Sequence, residues 1–76
     1  MRQEVSGQIY NGEGIEIEHF HHREHGPVLV ITIVEIDSGI EELVCRTPRE
    51  AAAILHRIER PDLAKMIREQ FPGDKF

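Results

Sequence analysis

The run VLVITIV, Val28 to Val34, leaves few ways to fold this chain. Six of its seven residues are β-branched, which disfavours helix and favours an extended strand. It falls far short of the ~20 apolar residues a membrane helix needs. Successive side chains of a strand point to opposite faces, and here both sets are apolar apart from Thr32. Val28 to Asp37 is therefore expected to be a central strand, covered on both sides over at least its first part.

The pattern around it has period two as far as Thr47 and a period near 3.6 after it. Glu4 to Tyr10 is predicted as a strand with Val5 and Ile9 on one side and Gly7 marking a bulge or a close contact. Asn11 to Gly14, NGEG, is a turn, because Asn and Gly tolerate the positive φ of tight hairpins. From Gly14 to His22 the alternation is regular. Ile15, Ile17, His19 and His21 share one face, and Glu16, Glu18, Phe20 and His22 the other. Arg23 to Pro27 and Asp37 to Gly39 are turns, and Ile40 to Arg46 is a fourth strand. Short connections between four strands imply an antiparallel meander.

Thr47-Pro48-Arg49-Glu50 is a helix start: a threonine N-cap, proline at the first helical position and a glutamate that completes a capping box. Ala51, Ile54, Leu55 and Ile58 form an apolar stripe. Pro61 ends or kinks that helix, since it lacks an N–H and disfavours helix at Arg60. A second helix follows, with Leu63, Met66, Ile67 and Phe71 as its stripe, stopped by Pro72-Gly73. The expected fold is α+β, a four-stranded antiparallel meander followed by two C-terminal helices packed on one sheet face (ββββαα), with residues 1–76 as one domain.

Two helices on one face leave the other face open. If Leu29, Ile31 and Ile33 meet the helices, then Val28, Val30, Val34 and Ile36 lie on the open side, or the reverse. An apolar stripe of that size calls for a cover. A symmetric homodimer through the sheet is the simplest one; loops or the tail around Phe76 are the alternative.

Charge narrows the choice of partner. The net charge is −5, and it is uneven. Residues 1–47 hold nine acids against three Arg, whereas residues 48–76 hold six basic and five acidic side chains. An acidic surface repels phosphate, so no direct nucleic-acid binding is expected. It suits a basic protein surface, including one evolved to hold nucleic acid. No apolar segment follows Met1, and the single cysteine, Cys45, has no partner for an internal disulfide. These features predict a cytoplasmic chain with neither a signal peptide nor a membrane span.

Four of the five histidines fall within EIEHFHHREHG, Glu16 to Gly26. His19 and His21 have the i, i+2 spacing that puts two imidazoles on one strand face, and His25 in the following turn could close over them. That set could hold zinc or another transition metal, with Glu18 or Glu24 adding oxygen, although no known metal motif is matched. Histidines grouped this way could also act as a pH switch, or form a polar strand end with nothing bound. Cys45 is expected to be a small core residue, and no nucleophile, base and orienting group can be assembled from the pattern. His56 is expected on the helix surface.

The leading expectation is a small acidic non-enzymatic binding protein acting by stoichiometric protein–protein contact. It would be a homodimer with Glu16, Glu18, Glu41 and Glu42 as the contact residues. Size, acidity and a bare sheet are shared with small phage or bacterial accessory proteins, including inhibitors of host defence systems. The alternative is a metal- or small-ligand-binding module built on His19, His21 and His25, without need of any other cofactor.

Overall fold

The computed structural model describes residues 4–37 and 39–76. Ser38, within the predicted Asp37–Gly39 turn, and the facing of the Val5 side chain lie outside the described residues. The order is β1 (Glu4–Gly12), β2 (Ile15–His22), β3 (Gly26–Glu35), β4 (Gly39–Cys45), α1 (Pro48–Arg57) and α2 (Pro61–Gln70). The strands form one antiparallel sheet in the order β1-β2-β3-β4, so the α+β, ββββαα architecture expected from the sequence is what the chain adopts. No helix among the described residues is long and apolar enough to cross a membrane.

Turn chemistry fixes the first hairpin. Glu13 and Gly14 connect β1 to β2 with φ of 54° and 80°, the pair of left-handed residues a two-residue type I′ turn demands. A Cβ at residue 14 would also sit 3.1 Å from the carbonyl oxygen of Val34, whose N–H donates to the Gly14 carbonyl at 2.8 Å. β1 carries two register shifts, one between Val5 and Gly7 and one between Gln8 and Tyr10. The second lets Ile9 and Tyr10 both pack against the core while Gln8 stays exposed.

The register sorts side chains into two faces. One carries the rows His19–Leu29–Cys45, Ile17–Ile31–Leu43 and Ile15–Ile33–Glu41. Apart from the exposed Glu41 end, this is the core face. Ile17, Leu29, Ile31 and Cys45 are fully buried against Ala51, Leu55, Leu63, Ala64 and Ile67 of the helices. The Thr47 hydroxyl accepts from the Glu50 N–H at 3.1 Å, as an N-cap should. The Glu50 carboxylate reaches back to the N–H of Arg46 at 2.7 Å, one residue before the position a capping box uses.

α1 ends sooner than the proline alone implies. Glu59 takes φ of 63°, a left-handed helix end without glycine, and the Arg60 N–H donates to the Leu55 carbonyl at 2.8 Å. Arg60 then ties α2 to the first hairpin. Its guanidinium pairs with Asp62 at 3.0 Å and Glu13 at 3.3 Å, and donates to the Tyr10 hydroxyl at 3.2 Å. These bonds hold the Arg60 guanidinium firmly protonated and the Asp62 carboxyl below its usual range.

The chain measures 32 × 30 × 16 Å. A thickness of 16 Å accommodates one sheet and one layer of helix. Leu29, Ile31 and Ile33 meet the helices, so the even-numbered residues of β3 face away from them. Phe76 packs with Phe71 and His19, on the core face, so the tail does not cover the other side.

Candidate functional site

The uncovered face consists of the rows Phe20–Val28, Glu18–Val30–Val44, Glu16–Thr32–Glu42 and Val34–Ile40. Val34, Val44 and Ile40 are 55%, 59% and 70% exposed, values foreign to residues of this kind in a packed sheet. Ile36, just beyond β3, is fully exposed. Apolar and acidic side chains thus share one surface. Gln8 donates to Glu16 at 2.7 Å. The Glu18 carboxyl is raised above its ordinary range, chiefly by desolvation and then by the charges of Glu16 and Glu42.

Three of the four acids expected to make contact, Glu16, Glu18 and Glu42, belong to this surface. Glu41 does not. It pairs with Ile33 in the row of Ile15 and so lies on the opposite face of the sheet. Adjacent residues of a strand cannot share a face without a bulge, and β4 pairs regularly with β3 throughout.

The histidines separate in the same way. His19 and His21 follow Ile15 and Ile17 onto the core face. His19 lies against Phe71, with ring centroids 5.2 Å apart, and against Phe76 at 5.6 Å. Its Nε2 is buried and has no hydrogen-bond partner among the described residues. Desolvation, with a smaller push from His21, holds the His19 imidazole below its ordinary pKa. His21 is exposed.

His25 departs from the expected trio. It stacks on His22, centroids 4.6 Å apart and rings inclined by 29°, on the open side. The backbone explains why. The N–H groups of Glu24 and His25 both donate to Nδ1 of His22, at 3.1 and 3.2 Å, which curls the turn around that ring. His19, His21 and His25 are therefore not brought together. Among the described residues no three His, Cys, Asp or Glu side chains converge to hold a metal ion. His22 is the residue that sequence reasoning missed. Its signal was an acceptor placed two and three residues before free N–H groups in a turn, the geometry usually associated with Asx turns.

The stacked imidazoles form one wall of a cavity of about 330 Å³ lined by His22, His25, Val28, Val30, Val44 and Arg46. Val28 is 1% exposed, yet it stands apart from the main core cluster. Cys45 is buried on the other face, and burial, with the Glu50 charge adding to it, pushes its thiol up to about 11. It shares a row with His19, but Leu29 lies between them, so they are about 9–10 Å apart by strand spacing. That separation is too great for a Cys–His nucleophile pair.

No family model, no curated protein and no solved structure matches this chain.

Proposed function

We propose that this chain is a small acidic, non-enzymatic binding protein that acts by stoichiometric contact through the open face of its sheet. The supporting observation is the coincidence on one uncovered surface of exposed Val34, Ile40 and Val44 with Glu16, Glu18 and Glu42. Apolar side chains supply the area and the acids select the partner, which should present an apolar centre with a basic surround. A protein surface built to hold nucleic acid supplies the basic part of that description. A chain that occluded it would be an inhibitor, the role suggested above for a phage or bacterial accessory protein acting on a host defence system.

Self-association is better served by another surface. Two copies stacked through the open face would confront Glu16, Glu18 and Glu42 of one with the same acids of the other, across a layer about 10 Å thick. β4, a seven-residue edge strand without proline, offers a homodimer contact that leaves Glu16 and Glu18 free.

The test uses a partner captured from the native cell, purified, and titrated calorimetrically against wild type and a Glu16→Lys/Glu18→Lys variant. Integral stoichiometry, weakening with added salt and loss in the variant are expected. Undiminished binding by the variant removes the acidic face from the contact.

A further inference from the structure

The open face changes character at the end bounded by the Arg23–His25 turn. There His22, His25, Val28, Val30, Val44 and Arg46 line a half-open cavity of about 330 Å³, at the lower end of the range that holds small molecules. Val30 and Val44 supply aliphatic surface, with the buried Val28 beneath them. Of its polar residues, His22 and Arg46 offer donors. Both backbone bonds of the turn end on Nδ1 of His22, so the ring proton of its neutral form sits on Nε2. Arg46 uses its backbone N–H on Glu50, while its guanidinium makes no hydrogen bond or ion pair among the described residues. A cavity with an apolar floor, a held imidazole donor and an unpaired guanidinium lacks an anionic acceptor.

The surroundings limit that acceptor to a single charge. Glu18 shares the row of Val30 and Val44, and Glu42 lies in the next row. A phosphate dianion would meet both, on a chain whose net charge is already −5. A carboxylate carries one charge and matches the planar fork of a single guanidinium. The geometry points to a binding site for a small branched aliphatic monocarboxylate, its hydrocarbon on Val30 and Val44 and its carboxylate on Arg46 and His22. The residues differ from the acids assigned to protein contact, so the two readings fail separately, one in a partner titration and the other in a ligand titration.

The probe is 4-methylpentanoate, titrated into 15N-labelled protein, with its primary amide and methyl phosphate as controls. A tripeptide Gly-Gly-Leu, with free or amidated C-terminus, distinguishes a free acid from a chain end as the source of the carboxylate. Saturable shifts confined to the amides of residues 22–30 and 44–46 are expected, with a Kd of about 1 mM, as suits so few atoms. The amide, methyl phosphate and an Arg46→Met variant should each bind at least about tenfold more weakly. Tighter binding of the free-acid tripeptide would assign the site to peptide C-termini, and tighter binding of 4-methylpentanoate to free acids. The proposal is overturned if neither carboxylate gives saturable shifts, or if the amide binds as well as the acid in the wild-type protein. Undiminished binding by Arg46→Met overturns it too.

Discussion

Replacing His19 with phenylalanine should stabilise the fold, and the size of the gain follows from one atom. Nε2 of His19 is buried without a partner among the described residues, beside Phe71 and Phe76. A buried, unsatisfied polar group costs about 1–3 kcal/mol. A phenyl ring removes that cost and keeps edge-to-face contact with both neighbours. It is also larger, which returns part of the gain, although the site is only half-buried and can let the ring lean outward. A net gain of about 1–2 kcal/mol remains, or roughly 4–16 °C in Tm for a domain of this size.

The pH dependence carries the same signature. His19 is held below its ordinary pKa in the folded chain, so the unfolded chain takes up the proton first. Its contribution is complete above the unfolded value of 6.5 and is lost as the pH falls from there through the lower folded value. Glu18, raised in the fold, acts in the opposite sense, since acidification relieves it. Comparing variant with wild type cancels that term.

Urea denaturation followed by far-UV circular dichroism, at about pH 8 and about pH 5, measures both effects. The variant should be more stable at the higher pH, and its advantage should widen at the lower. His19→Leu, which adds less bulk, guards against simple overpacking. If neither substitution stabilises and the advantage does not grow on acidification, water satisfies Nε2 and the reasoning fails.

Three further outcomes are expected. Thr47→Ala removes the hydroxyl that accepts from Glu50 and should cost about 1 kcal/mol, read as a lower urea midpoint with unchanged slope. Cys45, buried and with its thiol near 11, should resist thiol reagents in the folded protein and react at a rate set by opening of the fold; prompt native-state labelling would contradict the burial. Gly14→Ala places a Cβ at φ of 80° and 3.1 Å from the Val34 carbonyl oxygen. It should lower stability by more than about 1 kcal/mol, whereas the reverse change at an exposed helix position, Ala53→Gly, should cost about that much through helix propensity alone.

The strands and helices were legible because their patterns are local. Glu16 against Ile17 settles a face by alternation, and Thr47-Pro48 announces a helix before any tertiary contact forms. The choice of face for Leu29, Ile31 and Ile33 was not, since both sides of that strand are apolar. Two features escaped for the same physical reason, that backbone geometry decided them. Glu59 adopts a left-handed helix end without glycine, so α1 stops at Arg57 rather than running to Pro61. His22 gathers two N–H groups of a turn, which carries His25 away from His19 and His21. Glu41 and Glu42 look equivalent as a pair of acids, yet neighbouring strand residues face opposite ways.

The two-sided apolarity of β3 has a consequence for how securely this sheet is assembled. In most antiparallel sheets a one-residue slip exposes the core set and buries the polar set, so patterning alone forbids it. A slipped β3 would exchange Leu29, Ile31 and Ile33 for Val30, Thr32 and Val34, so the single Thr32 hydroxyl is the only penalty its pattern sets against the slip. Alignment of the sheet is thus delegated to its corners: the left-handed pair Glu13 and Gly14, the Gly14–Val34 hydrogen bond and the imidazole-centred turn after His22. Lengthening one of these connections by a residue should yield two interconverting pairings of the same strands, not an unfolded chain, and the face offered to a partner would differ between them.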